Sequence, residues 1–367
     1  MNIGIGGAGS KLASISSDAE CAIVNVSELE LSKVDAKQKI LAVTHSARGQ
    51  LRGSGKNPKI GKEAFTSISE KLKQLIKGNI LFTSTGGGTG NGISTEILYH
   101  LSKLEEAVKL EDKTMLCLIL PYLNRESYEY VENTIEFLGG PVSSAIDSGN
   151  TGNIVLFSNK LKFEGRIPEH SFNKMIADSL NSFLAIPVKG EMYKLLDGHI
   201  DFEDFDLYKS KPYFNHFTQF NWNPDQPFEE QLKANFNSLI LFPERTIEAM
   251  FLIELPTADK ISKFYDILDY FSVDNVTPMY GIVHNPELKE PQITVSLLYS
   301  RKPRELVEDF KKVSDQYTRN RIKKSLDQHV VLQSHKLDKM NEARRMVEEN
   351  GNNAGDVLGF LKRVGKL

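Results

Sequence analysis

The heptapeptide Gly86-Gly87-Gly88-Thr89-Gly90-Asn91-Gly92 constrains this chain more than any other stretch. It follows an apolar run, Ile80-Leu81-Phe82-Thr83, and precedes a helical pattern, Ile93-Ser94-Thr95-Glu96-Ile97-Leu98. A strand, a glycine loop and a helix N-terminus in succession form an anion site, because backbone N–H groups point outward and the helix dipole favours negative charge. An ordinary turn needs one or two glycines. Five in seven residues let the backbone approach a ligand with no Cβ in the way. The stretch reads as a phosphate-binding loop.

The rest of the first half supplies a frame for such a loop. Short apolar runs at 2–6, 21–26, 38–43, 79–84, 114–120 and 153–158 alternate with helical patterns at 9–17, 62–77, 92–107 and 126–138. Alternation of this kind predicts an α/β fold, a mostly parallel sheet covered by helices on both faces. Ligands in such sheets bind at the carboxyl ends of the strands. Residues 4–9, 53–61, 86–92 and the stretch after Pro121 all fall at that edge, so four loops converge on one site.

Further along, Phe172, Met175, Ile176, Ser179, Leu180, Phe183 and Leu184 form a core-facing stripe of a long helix. It leads into an acidic stretch at 195–204, read as a turn. An aromatic-rich strand at 212–224 with Trp222 as anchor, strands at 249–255, 277–284 and 291–299, and a helix at 257–271 predict a smaller mixed sheet with helices. Helices at 301–321 and 325–349 follow, then a Gly/Asn break at 350–356 and a short apolar, basic end. The expected divisions are 1–165, 166–194 for the central helix, 195–300, and 301–367.

Composition narrows the class. Apolar content of 40% and charged content of 25% are ordinary for a soluble globular protein. No run of about 18 apolar residues offers a membrane span, and Met1-Asn2-Ile3-Gly4 lacks the basic and apolar regions of a signal peptide. Cys21 and Cys117 lie inside apolar runs and are assigned to core packing in a reducing cytoplasm rather than to a disulfide. Net charge of −3 argues against a general DNA-binding surface. Yet residues 301–367 carry 16 basic and 10 acidic side chains, so an acidic body bears a basic arm. Such an arm reads equally as an interaction tail or as a solvated helix face.

Gly4-Ile5-Gly6-Gly7-Ala8-Gly9 matches the dinucleotide fingerprint G-x-G-x-x-G. A nicotinamide enzyme also needs an acid at the end of the second strand. Here that strand ends in Asn25, with Ser27 next and Glu28 slightly late, and a dehydrogenase has no use for a second phosphate loop. Residues 49–57 lack the first glycine of a P-loop, and Lys56 is followed by Asn57 rather than Ser or Thr. Several glycine loops at one edge imply several phosphates, hence a nucleoside triphosphate. With no P-loop lysine, backbone N–H groups and a bound Mg²⁺ would neutralise the charge.

These motifs, in this order and spacing, resemble the tubulin/FtsZ family of GTPases over roughly residues 1–300. Residues 86–92 match the family signature G-G-G-T-G-S/T-G, with Asn91 in the variable slot. Leu51-Arg52-Gly53-Ser54-Gly55-Lys56-Asn57-Pro58-Lys59-Ile60-Gly61 resembles the FtsZ loop that meets the γ-phosphate. Asn153-Ile154-Val155-Leu156-Phe157-Ser158-Asn159 resembles the strand whose closing Asn reads guanine. The resemblance implies a Rossmann-like GTP-binding sheet, a central helix and a smaller α+β C-terminal domain. It implies that Gly6, Gly7, Ala8 and Gly9 cradle phosphates with Gly86, Gly87, Gly88, Thr89, Gly90 and Asn91. Ser54, Gly55 and Lys56 would approach the γ-phosphate, Glu126 (with Glu129 as alternative) the ribose, and Asn159 and Asp178 the guanine edge, with Mg²⁺ carried by the nucleotide. The family often stacks an aromatic one turn before that helix residue, where this chain has Lys174.

His199-Ile200-Asp201-Phe202-Glu203-Asp204 is similar to the family loop N-x-D-x-x-D/E, which enters the nucleotide site of the next subunit. By that resemblance Asp201 and Asp204 polarise the attacking water in a site completed by head-to-tail assembly. His199 in place of Asn, and a long basic extension in place of a tethering peptide, resemble the TubZ branch. That branch implies plasmid or phage DNA segregation through a DNA-bound adaptor gripped by the C-terminal tail, with no direct DNA contact and no membrane. The alternatives are an FtsZ-like division protein and, remotely, an NAD-binding oxidoreductase.

Overall fold

The structure is a computed structural model and describes residues 1–46, 49–104, 107–257, 263–308, 310–312, 315 and 318–319. The apolar runs of the first half become strands β1 Asn2–Ile5, β2 Cys21–Asn25, β3 Gln38–Leu41, β4 Ile80–Ser84, β5 Thr114–Leu120 and β6 Thr151–Ser158. All six pair in parallel in the order 3-2-1-4-5-6. β5 and β6 are buried at every residue, as strands covered on both faces must be. The strand order reverses between β1 and β4, the switch point at which doubly wound sheets bind ligands. The two glycine loops follow those two strands. They run straight into helices α1 Gly6–Ile15 and α2 Gly88–Ser102.

Two helix boundaries depart from the sequence pattern for local reasons. α2 starts at Gly88 rather than at 92, because the glycines themselves form its first turn behind Gly87. The helix expected over 62–77 is two helices, Pro58–Phe65 and Ser69–Leu75. Asn57 caps the first by accepting from the Lys59 N–H, with Pro58 opening it. The Thr66 and Ser67 hydroxyls then donate back to the Glu63 and Ala64 carbonyls, a local bonding pattern that competes with helix propagation.

The later strands are β7 Lys194–Gly198, β8 Phe214–Asn221, β9 Thr246–Leu255, β10 Met279–His284 and β11 Gln292–Tyr299. They extend the same sheet in the order β8-β11-β9-β10-β7, antiparallel except where β9 meets β10. The acidic stretch is therefore not a turn after a helix. It is the strand β7 followed by helix α4, Phe202–Lys209, with Asp201 as its N-cap. Of the helix expected at 257–271, Tyr265–Ser272 is helical and 258–262 lie outside the described residues. The same holds for nearly all of 313–367, including the expected helix at 325–349 and the Gly/Asn break.

Chain contacts gather residues Met1–Lys311 into one compact unit, and the join between its two sheet halves explains why. β6 pairs with β8 at a single register position, Ile154 with Phe214. Further along, β6 is bonded to residues 239–241 through Ser158 N–H to the Leu239 carbonyl and Leu241 N–H to the Leu156 carbonyl. Across the join runs a buried polar ladder: Ser296 Oγ donates to Asn215 Oδ1 and Asn215 Nδ2 to Asn153 Oδ1, at 2.7 and 2.9 Å. Asn153 Nδ2 also donates to the carbonyls of Tyr208 and Lys211. The central helix, labelled α3 (Glu169–Leu184), covers the join from one face. Phe183 stacks on Phe217 of β8 with ring centroids 4.9 Å apart, and Phe217 meets Phe157 of β6 edge-on. One apolar core thus spans both halves, from Leu12 and Val155 to Met250 and Leu298.

Candidate functional site

Five of the six parallel strands end at one cleft of about 410 Å³. After β1 its wall is Gly6, Gly7 and Ala8; after β2, Asn25, Ser27 and Glu30; after β4, Ser84 and residues 86–90. β5 contributes Pro121 and Glu126, β6 contributes Asn159 and Lys162, and α3 contributes Glu169 and Asn173. The loop holding Gly53, Ser54, Gly55 and Lys56 completes it. The four loops predicted to converge do so. The N-termini of α1 and α2 both open into the cleft, a place suited to anionic groups.

The glycines work by close approach. Gly6 has a φ of +73°, and a Cβ there would lie 2.9 Å from the Gly90 nitrogen, so the loops after β1 and β4 touch backbone to backbone. Two asparagines fasten the cradle from outside. Asn133 Nδ2 donates to the carbonyls of Lys56 and Gly86 at 3.0 and 2.8 Å. Asn91 Nδ2 donates to those of Thr85 and Asn133. Asn133 was missed from sequence; the available signal was an asparagine inside a helical pattern, where its intrinsic preference is poor.

Each carboxylate on the wall has a partner. Glu126 accepts from the Tyr122 N–H at 2.6 Å and from Asn159 Nδ2 at 3.1 Å. Of the two glutamates considered for the ribose, this one lines the cleft, whereas Glu129 lies outside its wall, 3.8 Å from Lys56 Nζ. Glu169 accepts from Lys11 at 2.7 Å, and that hydrogen bond holds its carboxyl below the usual range. Glu30 accepts from Asn25 Nδ2 at 2.7 Å. Its carboxylate stands 3.0 Å from where Gly7 would carry a Cβ, directly against the phosphate cradle. Sequence reasoning found no well-placed acid after the second strand. The short helix Glu28–Ser32, capped by Ser27, turns Glu30 into the cleft instead.

Several expected contacts fall elsewhere. Gly9 does not line the cleft: its Cβ position lies 2.2 Å from the Phe82 carbonyl oxygen, so it seats α1 on β4. Asn91 is buried and bonded behind the loop. Asp178 is exposed on α3, and Asn173, 8% exposed, is the residue of that helix facing the cleft. Five residues rotate a helix by about 140°, so the two cannot share a face. Asp201 and Asp204 do not line the cleft of their own chain. They open α4, whose Phe205 packs on Phe183 near the C-terminal end of α3 with ring centroids 5.0 Å apart, whereas Glu169 and Asn173 near the N-terminal end of α3 line the cleft.

A Rossmann-ordered parallel half-sheet, two glycine-cradled helix N-termini and a mixed half-sheet continuing it beneath a central helix define an α/β fold with a glycine-lined cleft. No family model matches the chain. Over 128 residues it is 33% identical to cell division protein FtsZ 1 of Pyrococcus woesei, a match covering 33% of the chain and 33% of that relative. The match thus spans about a third of the length of such relatives. Among solved structures, CetZ from Methanosaeta thermophila strain DSM 6194 superposes with a TM-score of 0.65 at 18% identity, covering 94% of this chain and 97% of that one. TubZ of Bacillus thuringiensis serovar israelensis, solved as a GTPγS-form protofilament, gives 0.69 at 14% identity, over 87% and 93%. The chain thus shares the fold of tubulin/FtsZ-type structures over most of its length, and about a third of its sequence is similar to FtsZ 1.

Proposed function

We propose that this protein is a GTPase that assembles head to tail, each subunit completing the active site of its neighbour. The observation that carries the reading is that Asp201 and Asp204 lie outside the cleft of their own chain, while the cleft's acids Glu30, Glu126 and Glu169 are each already tied to a neighbouring side chain. The acidic N-terminus of α4 lies outside the cleft, with Asp201 and Asp204 half-buried and Glu203 exposed, and Met192, Leu195 and Phe202 are exposed in the same stretch of chain. Exposed apolar side chains close in sequence to an acidic turn suit docking into another subunit's cleft. The protofilament form of the TubZ structure supports the same assembly.

In this reading the backbone N–H groups of Gly6, Gly7, Ala8 and residues 86–90 hold the phosphates, with Ser54, Gly55 and Lys56 at the terminal one. Glu126 takes the ribose, while Asn159 and Asn173 read the base. Mg²⁺ fits this wall. A carboxylate pressed against a phosphate cradle is tolerable only with a cation between, and Glu30 is fixed there by Asn25. Among the described residues no trio of His, Cys, Asp or Glu forms a closed metal cage, so phosphate and water oxygens would fill most of the ion's shell. When bound, the ion neutralises charge developing on the phosphates. Asp201 and Asp204 of the neighbouring subunit orient the attacking water. Turnover per subunit should therefore rise with protein concentration and plateau as filaments form. A phosphate-release rate independent of concentration would sink the shared site.

The finer reading is DNA segregation for a plasmid or phage in a bacterial cytoplasm, with a DNA-bound adaptor engaging residues 351–367. His199 in the acidic loop and the basic balance of residues 301–367 support it. The match to FtsZ 1 favours a division role equally. Beads carrying the centromere DNA and its adaptor should retain the full chain and lose a form ending at residue 350. Retention of both forms, or of neither, would remove the adaptor role. Among the described residues no helix is long and apolar enough to cross a membrane.

A further inference from the structure

Glu254 is a carboxylate in an apolar row. On β9 it follows Met250 and Leu252 at every second residue, and those two belong to the core that includes Phe183 and Ile186. Successive side chains of a strand alternate between faces, so Glu254 shares their face, where it is 1% exposed. Both its oxygens are occupied. Oε1 accepts from Lys189 Nζ, and Oε2 accepts from Asn285 Nδ2 at 2.8 Å. Asn285 is fixed in turn, donating its N–H to the Leu255 carbonyl and accepting the Glu287 N–H. Apolar residues of similar volume commonly stabilise a core as well as a buried ion pair does, so the pair points to a need for defined geometry.

Lys189 brings that geometry next to the acidic loop. It stands on the short helix Ile186–Met192, which follows the end of α3 at Leu184 and leads into β7. Its neighbour Gly190 meets the loop: a Cβ there would lie 3.1 Å from the Ile200 carbonyl oxygen. Gly281 of β10 also faces Ile200, its Cβ position 3.7 Å from the Ile200 nitrogen. Ile200 is 1% exposed and immediately precedes Asp201. Downstream, α4 is held by Phe205 on Phe183 and by the Tyr208 hydroxyl, which donates to the Ser296 carbonyl. The approach to Asp201 therefore depends on where the short helix sits. The ion pair ties that helix to β9 by a directional bond.

We propose that the Lys189–Glu254 pair positions Asp201, acting through Gly190 and Ile200 to set where the acidic loop is presented. This rests on the reading of Asp201 as the group a subunit lends to its neighbour. Neither Lys189 nor Glu254 lines the cleft. Both are positioning residues, and a displacement of about 1 Å at a reacting group can cost about 100-fold in rate.

The test exchanges the pair for neutral residues of similar size, Lys189→Met with Glu254→Gln, in the full chain. Both charges go together, so neither is left unpaired, and the glutamine oxygen still accepts from Asn285. Phosphate release per sedimented subunit should fall by about 10- to 100-fold, with nucleotide affinity unchanged. In an Asp201→Asn background the same exchange should cost nothing more, because residues that act through one group are not additive. Lys189→Arg, which keeps the ion pair, should retain most of the turnover. Gly190→Ala is a second route: it presses on the Ile200 carbonyl, leaves the pair alone and favours the helix. It too should slow the chain with Asp201 intact and spare the Asp201→Asn background. Should the exchanged chain fail to assemble, Gly190→Ala decides by the same comparison. Unchanged turnover, or an equal fall in the two backgrounds, overturns the proposal while Asp201 keeps its role. Wild-type turnover of Asp201→Asn itself overturns the reading beneath it.

Discussion

Asp201→Asn should leave nucleotide binding and filament formation intact while cutting GTP turnover per subunit by about 10²- to 10⁴-fold, the range for removing a positioned general base. Asparagine is the informative replacement because Asp201 has two roles. One carboxylate oxygen accepts the Asp204 N–H at 2.7 Å and caps α4. An asparagine side-chain oxygen makes the same bond, and the two residues are nearly equivalent as caps. The acidic loop therefore keeps its shape and loses only charge. Asp201→Ala should also hydrolyse poorly, but it removes the cap as well, at about 1 kcal/mol, so a fall in its turnover has two causes. Phosphate release measured alongside sedimentation separates chemistry from assembly. Wild-type turnover in filaments of Asp201→Asn would reduce Asp201 to a helix cap.

Gly9→Ala should cost about 3 kcal/mol of folding stability, the upper end for forcing a methyl into a packed interior. The added carbon would stand 2.2 Å from the Phe82 carbonyl oxygen, 2.9 Å from its carbon and 3.2 Å from Thr83 Cα. All three belong to the β4 backbone, so relief requires α1 to lift from the sheet at the point where strand order reverses. Gly7→Ala is the matched comparison. Its nearest neighbour is the Glu30 carboxylate at 3.0 Å, the end of a side chain that can shift, so stability should change by less than about 1 kcal/mol. Urea midpoints at constant slope give both numbers. A Gly9→Ala protein with unchanged midpoint but impaired nucleotide binding would return Gly9 to the ligand cradle and refute its packing role.

That contrast marks where sequence reading ran out. Alternating apolar and helical segments gave the parallel sheet and its glycine-lined edge, because burial on both faces leaves uninterrupted aliphatic runs and phosphate loops need several glycines. Motif spacing cannot separate a glycine that meets a ligand from one that meets a strand, so Gly6 and Gly9 looked alike. Asp178 and Asn173 share one helix, and only the helix's rotation against the sheet decides which of them faces the cleft. Glu30 was hidden by the five-residue helix that carries it, too short for a periodic signal. Asn133 acts on two backbone carbonyls far off in sequence, Lys56 and Gly86, and leaves no local pattern. The division of labour proposed between the cleft and Asp201 rests on resemblance, since Asp201 does not line the cleft of its own chain.

The polar ladder of Asn153, Asn215 and Ser296 has a mechanical consequence. In a head-to-tail filament, tension enters each subunit at the cleft and leaves at the acidic loop, so every pull crosses the join between β6 and β8. Apolar packing at that join, such as Phe183 on Phe217, is non-directional and yields by sliding. Hydrogen bonds are directional, and at this join the Asn215–Asn153 bond stands beside the backbone bonds of Ser158 to Leu239 and Leu241 to Leu156. A filament built this way would resist sliding inside each subunit through those bonds acting together, with Ser296 holding Asn215 in place.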